Sequence, residues 1–331
     1  MILTLTLNPS IDRTVELPSR LERGAVQRAA AAADEVAAGK GINVARVLAA
    51  AGVPARAIVM AGADDRFAGM LAADGVDAVC VPVEAAVRTN IALTEADGTT
   101  TKINEPGAPL DEGAVVAMLD AVRANAAAAD WLVIAGSLPT GARPEIIVDA
   151  IGAARGAHAG IRIAVDTSGA PLAAAIAAGG IDLAKPNDEE LEELLGLAPG
   201  TIADRDDAAA AACALVGRGV GTVLLTLGGA GAILADAEHA LHAVPPPTEV
   251  RSTVGAGDAS LAGWLIAAVR GDDAAGRLRQ AVAHGSAAAA LPGTGFPAPA
   301  DADAARVAVA SVTTTDIPST AAAAAADPQE H

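Results

Sequence analysis

Six short apolar runs, at residues 2–7, 57–61, 131–135, 162–165, 182–184 and 222–227, end in polar or glycine residues and give way to alanine- and leucine-rich stretches with helical spacing. Strands that alternate with helices in this way build a mostly parallel sheet, so the chain is expected to be an α/β protein. Ligands of such sheets sit beyond the carboxyl ends of the strands. That directs attention to Asn8, Gly62, Gly136-Ser137, Asp166-Thr167, Lys185-Pro186-Asn187 and Gly228-Gly229.

One region breaks the rhythm. Residues 90–94 alternate, Asp97-Gly98 is a hairpin turn signal, and residues 99–104 continue as a polar strand. With residues 14–38 they are expected to form a small β lid, which places lid segments near 12–38 and 88–104 inside one large domain over 1–297. A lid is expected where water must be kept from a reactive phosphate. Residues 298–331, rich in Ala, Pro, Asp and Thr, are taken as a C-terminal segment whose end, 320–331, reads as frayed.

At 331 residues and 52% hydrophobic, the chain has ample material for a core. With two Trp, two Phe and no Tyr, that core must come from Ala, Val, Leu and Ile, and no aromatic rows exist to stack single-stranded nucleic acid. A net charge of -18 repels phosphate backbones and anionic membranes, so neither is expected as a partner. The same field opposes an anionic metabolite. A phosphate site therefore needs locally placed cations and backbone N–H groups. Cys80 and Cys213 lack metal or redox spacing and read as reduced, buried thiols. Nothing in residues 1–10 resembles a leader and no stretch resembles a membrane span, so a cytoplasmic protein is expected.

Gly255-Ala256-Gly257-Asp258 precedes an apolar helical run over 259–269. Small residues let the backbone approach an oxyanion, and a helix start favours negative charge. On this motif alone Asp258 is either a helix cap or a general base that takes a proton from an attacking hydroxyl. Lys185-Pro186-Asn187 follows a strand and opens a helix. Asn187 and Glu190, three apart, either organise Mg²⁺ and its waters or belong to a solvated acidic face. The glycines after Thr226, including Gly228 and Gly231, serve equally as a nucleotide loop or a hairpin turn. They form neither a Walker A loop nor a dinucleotide fingerprint.

Gly39-Lys40-Gly41-Ile42-Asn43 combines a tight turn, a cation and an amide before a helix over 42–51; a purely structural helix entry is the other reading. Arg88 and Arg28 flank or lie in the lid, where either could hold a phosphate or be merely exposed. Asp12, after the first strand, is a turn residue or an acceptor for sugar hydroxyls. The three lysines of the chain, Lys40, Lys102 and Lys185, all fall in these segments.

Taken in order, Thr6-Leu7-Asn8-Pro9-Ser10-Ile11-Asp12, Gly39-Lys40-Gly41-Ile42-Asn43, Asn104-Glu105-Pro106-Gly107, Gly136-Ser137-Leu138-Pro139, Lys185-Pro186-Asn187 with Glu190, and the 252–258 segment resemble the ribokinase-like (PfkB) carbohydrate kinases. Within them the pattern is similar to the 1-phosphofructokinase and tagatose-6-phosphate kinase branches. The resemblance implies a ribokinase-like three-layer fold with a mostly parallel central sheet and a small β lid. It makes Asp258 the base, Gly255, Ala256 and Gly257 the anion hole, and Asp12, Arg28, Gly39, Lys40, Asn43, Arg88 and Ser137 the sugar-phosphate contacts. Lys185, Asn187, Thr226, Gly228 and Gly231 would bind ATP, and Glu190 would serve Mg²⁺ through the nucleotide and water; a monovalent cation is also admitted. The lid would pair two chains in a homodimer. Ala38 stands where many relatives have glycine, and its methyl narrows the expected sugar pocket.

The activity so implied is transfer of the ATP γ-phosphoryl group to the 6-hydroxyl of D-fructose 1-phosphate. A kinase acting on the 1-hydroxyl of tagatose 6-phosphate or fructose 6-phosphate is the nearest alternative. A catalytically silent sugar-phosphate sensor is a remote one.

Overall fold

The structure, a computed structural model, describes residues 1–62, 65–291, 293 and 295–313, and element counts refer to those residues. The apolar runs become β1 (Ile2–Thr6), β4 (Ala55–Met60), β8 (Trp131–Ala135), β9 (Arg162–Asp166), β10 (Leu183–Ala184) and β11 (Thr222–Thr226). With β5 (Ala78–Val81) they form seven parallel strands in the order β11-β10-β9-β8-β1-β4-β5. β1 lies inside the sheet, with Ile2 in register with Ala55 on one side and Trp131 on the other. All five of its side chains are buried, as a strand covered on both faces requires.

Three antiparallel strands, β12 (Ala232–Ala235), β13 (Ala240–Val244) and β14 (Ala308–Ser311), extend the sheet beyond β11. The glycine segment after Thr226 is thus a hairpin turn into β12, not the entry to a helix. The boundary expected at 297 also lies inside the folded unit: β14 hydrogen-bonds along β13, and Ala302, Val307 and Val312 are buried. The tail expected at 320–331 lies outside the described residues.

Helices α3 (Glu112–Ala126), α4 (Ile146–Ala157), α5 (Gly169–Ala178), α6 (Asp188–Leu195) and α7 (Arg205–Val216) cover one face of the sheet through Met118, Ile147, Leu172, Leu191 and Leu215. The other face is covered by α1 (Lys40–Ala50), α8 (Ala256–Arg270) and α9 (Ala274–Ala289), through Val44, Leu48, Leu261, Leu265 and Leu278. Each such aliphatic side chain stabilises the fold by about 1.5–3 kcal/mol. Aromatic bulk is nearly absent, so close approach replaces it. A Cβ on Gly263 of α8 would come within 2.5 Å of the Gln280 carbonyl, and one on Gly285 of α9 within 2.2 Å of Ser260 Oγ. Small residues therefore let α8 and α9 pack nearly backbone to backbone.

A second sheet carries β2 (Ser10–Glu16), β3 (Asp34–Ala38), β6 (Arg88–Thr94) and β7 (Thr100–Ile103) in the order β3-β2-β6-β7. Its strands β2 and β6 run parallel, with Ser10 opposite Arg88 and Asp12 opposite Asn90. Ile11 and Ala37 tie its base to a cluster with Ile42, Val59 and Phe67 of α2 (Arg66–Ala73). The β6-β7 side of the sheet has no second layer among the described residues: every residue of β7 is exposed, and none of β6 is fully buried. Cys80 and Cys213 are free, but half-buried where burial was expected.

Candidate active site

A cavity of about 980 Å³ opens where the carboxyl ends of β1, β8, β9 and β10 meet the lid base and the start of α8. Asp12, Gly39, Lys40, Asn43, Arg88, Ser137, Lys185, Asn187, Glu190, Thr226, Gly228, Gly231, Gly255, Ala256, Gly257 and Asp258 all line it. These are the sequence-derived candidates with one exception. Arg28, in the segment between β2 and β3, is exposed and outside the cavity. Lys102 lies on β7, also away from it.

The α8 N-terminus forms the floor. Gly255 is its N-cap at φ 77°, a left-handed conformation that side chains resist, and no side chain caps the first turn. The orphan N–H groups of that turn, with the helix dipole, therefore favour an anion. Gly39 plays a matching part below the lid. Its φ is +143°, and a Cβ would approach Thr6 Cγ2 to 2.8 Å, so only glycine carries β3 into α1 on this path.

Asp258, in the first turn of α8, is 6% exposed. It does not cap the helix, which answers the sequence ambiguity about its local role. Asn43 of α1 donates from Nδ2 to Asp258 Oδ2 at 2.8 Å. Burial, together with repulsion from Asp166, pushes the Asp258 carboxyl up to about 7, against the opposing pull of Asn43, Lys40 and Lys185. A carboxylate so tuned can accept a proton near neutral pH.

Asp166, at the end of β9, has no site role in the sequence reading, although its place at the carboxyl end of a strand is the available signal. It is fully buried and bridges two cations, with Lys40 Nζ at 2.8 Å from Oδ1 and Lys185 Nζ at 3.2 Å from Oδ2. Burial alone would push the Asp166 carboxyl up, but the two ammonium groups hold it below the usual carboxylate range. In return the Asp166 charge holds Lys40 well above the ordinary lysine range. Lys185 Nζ would lie 3.2 Å from a Cβ at Gly257, so this cation sits directly beneath the α8 turn.

Asn187 and Glu190 form a reciprocal capping box at the start of α6. Glu190 N donates to Asn187 Oδ1 at 2.7 Å and Asn187 N donates to Glu190 Oε2 at 3.0 Å. The box leaves Glu190 Oε1 with no hydrogen-bond partner among the described residues. Among those residues no group of three or more His, Cys, Asp or Glu converges to hold a metal directly. A divalent cation here would be carried by nucleotide phosphates and met by Glu190 through water.

At the lid, Arg88 donates to the carbonyls of Glu105 at 2.9 Å and Asn8 at 3.1 Å, and its Nε is buried without a partner. Asn8, marked by the sequence only as a residue just beyond a strand, donates from Nδ2 toward Ser137 Oγ at 3.3 Å and the Leu138 carbonyl at 3.2 Å, which ties β1 to the 136–139 loop. On the opposite side Thr226, Gly228 and Gly231 combine with Pro245, Pro246, Pro247 and Val254 in an apolar wall. The arrangement can hold a polyanion over the α8 turn and a hydroxylated ligand under the lid, with a base between them. Among the described residues no helix is long and apolar enough to cross a membrane.

Residues 5–301 match the pfkB family carbohydrate kinase model. The chain is 38% identical to the 1-phosphofructokinase of Rhodobacter capsulatus over 288 residues, covering 85% of this chain and 88% of the relative. It is 36% identical to the ATP-dependent 6-phosphofructokinase isozyme 2 of Escherichia coli over 297 residues, covering 88% and 94%. Among solved structures, phosphofructokinase-2 from Escherichia coli in complex with potassium superimposes with a TM-score of 0.84 at 35% identity, covering 91% of this chain and 96% of that one.

Proposed function

The chain belongs to the pfkB family of carbohydrate kinases, and we propose that this phosphotransferase moves the γ-phosphoryl group of ATP to the 6-hydroxyl of D-fructose 1-phosphate. The observation that carries the reading is Asp258, held by Asn43 beside an uncapped helix N-terminus in one cavity with Arg88. Similarity to the 1-phosphofructokinase of Rhodobacter capsulatus supports the choice of ketose.

In this reading the sugar lies under the lid, with its phosphate toward Arg88, whose buried Nε lacks a partner, and its hydroxyls toward Asp12, Asn43 and the Gly39 backbone. ATP lies along Thr226, Gly228 and Gly231, with its phosphates above Gly255, Ala256 and Gly257 and the Lys185 ammonium below. As the 6-hydroxyl oxygen bonds to the γ-phosphorus, its proton passes to Asp258 and the bond to the bridging β-phosphate oxygen breaks. ADP and fructose 1,6-bisphosphate result. Orphan N–H groups of the α8 turn stabilise the charge on the transferred group, with no reorganisation needed at the moment of reaction. Bound with ATP, Mg²⁺ would screen the β- and γ-phosphate oxygens; Asn187 and Glu190 would hold its water shell. Lys40 and Lys185 offset the phosphates locally in a chain whose net charge is -18.

Similarity to the 6-phosphofructokinase isozyme 2 of Escherichia coli favours a second reading, in which fructose 6-phosphate or tagatose 6-phosphate is attacked through its 1-hydroxyl. A potassium-bound relative supports a monovalent cation as an additional cofactor. We further infer a homodimer through the lid: its β6-β7 side has no second layer among the described residues, and Val26 and Ile103 are 95% and 53% exposed. Sedimentation should then give twice the 32.3 kDa chain mass.

A steady-state screen of sugar phosphates with Mg-ATP tests the function. Fructose 1-phosphate should give the highest kcat/KM. The D258N variant should lose at least about a thousandfold in kcat while still binding ATP. Wild-type turnover in D258N would remove Asp258 from the mechanism.

A further inference from the structure

Parallel pairing of β2 with β6 places Ser10 opposite Arg88 and Asp12 opposite Asn90. The first rung brings the guanidinium of Arg88 to the cavity. The second brings a carboxylate beside an amide. Asn90 donates from Nδ2 to Asp12 Oδ1 at 3.0 Å, and Ser10 Oγ donates to the same oxygen at 2.7 Å. A carboxylate only accepts, so the Asn90 amide must turn its NH₂ to Asp12, which fixes its orientation. Asp12 Oδ2 is left with no protein partner among the described residues.

We propose that Asn90, with Ser10, is a positioning residue that pins one oxygen of Asp12 and so limits it to reading a single sugar hydroxyl. The proposal rests on the reading of the protein as a ketose-phosphate kinase and names a determinant of its specificity. An unpinned carboxylate can turn about its last side-chain torsion and follow a hydroxyl to either face of the sugar ring. With Oδ1 committed to two donors, Oδ2 accepts from one direction. A sugar whose hydroxyl lies on the other face then leaves a polar group unpaired, and such sites discriminate strongly. Ser10 is itself 3% exposed, so its hydroxyl has little freedom to leave Asp12. Arg46 and Arg88 are the cations acting on Asp12 from α1 and β6, yet neither forms an ion pair with it, which leaves the two neutral donors to set its direction.

The test compares kcat/KM for the 1-phosphates of D-fructose, its C3 epimer D-psicose and its C4 epimer D-tagatose in wild type, N90A and N90D. In N90A the preference for fructose 1-phosphate over at least one epimer should shrink by about fivefold or more, with KM for ATP within twofold of wild type. N90D keeps the size of the side chain but exchanges the donor for a like charge, so it should compress the same ratio at least as far. If both variants keep the wild-type ratios, whatever happens to their absolute rates, Asn90 does not position Asp12 for discrimination and the proposal fails. If wild type phosphorylates none of the three sugars, the reading of function fails, and this proposal with it.

Discussion

With its carboxyl raised to about 7 by burial and by the Asp166 charge, Asp258 should impose an acid limb on kcat/KM centred near pH 7. Protonation below that value removes the base. The D166N variant separates the two causes. Burial remains while the repelling charge is gone, so the acid limb should move to lower pH even as the rate falls. The rate falls because Lys40 and Lys185 lose the carboxylate that holds both. A limb that stays in place or moves up in D166N would mean that burial alone tunes Asp258. Asp166 shows why residue-scale reading of a sequence is incomplete: one acidic residue after a strand acquires meaning only when the fold brings two lysines to it, from positions 40 and 185.

At the start of α6 a single pair of residues is proposed to serve two ends. Asn187 caps the helix through Glu190 N, a contact whose loss costs about 1 kcal/mol. The same pair is proposed to meet the water shell of Mg-ATP. N187S retains a capping oxygen without the amide, whereas N187A removes both. Thermal melting should therefore fall by roughly 1–2 °C in N187A and stay near wild type in N187S. KM for Mg-ATP should rise severalfold in both variants, and an unchanged KM in N187S would reduce the pair to a cap. The sequence showed Asn187 and Glu190 only as sharing a helical face, and the capping box is what the fold adds; the parallel strands were legible because burial on both faces leaves uninterrupted apolar runs such as 131–135. The lid hairpin showed through Asp97-Gly98. Less legible were the antiparallel strands β12 to β14, because a glycine turn before an apolar run does not say whether helix or strand follows. β14 was hidden further by the Ala- and Pro-rich composition that precedes it, although its place beside β13 is set by tertiary pairing.

At the scale of the whole molecule, two helical layers and a continuous sheet support a site that is itself unfavourable. In the unfolded chain the Asp258 carboxyl titrates near its ordinary value of 3.8, and in the folded protein near 7. Between those values the unfolded state has released the proton and the folded state still holds it. Stability therefore falls as pH rises from about 4 to about 7, and the penalty is constant above that. D258N keeps the shape of the side chain and an acceptor for Asn43 but carries no charge, so it escapes the penalty. The melting temperature of D258N relative to wild type should be close to zero difference at pH 4. It should grow through pH 5 and 6 and level off above pH 7 at a gain of roughly 2–6 °C, since every tenfold difference in proton affinity between the folded and unfolded states corresponds to about 1.4 kcal/mol. Taking the difference between the two proteins at each pH cancels the titration of groups that do not interact with Asp258, whereas Asp166, Lys40 and Lys185 act on it directly. The gain in stability would accompany the loss of turnover, as expected when a buried charge is kept for chemistry and the surrounding fold sustains its cost. A D258N protein that melts below wild type at pH 8 would show instead that the folded state stabilises the Asp258 charge, and the raised carboxyl would have to be abandoned.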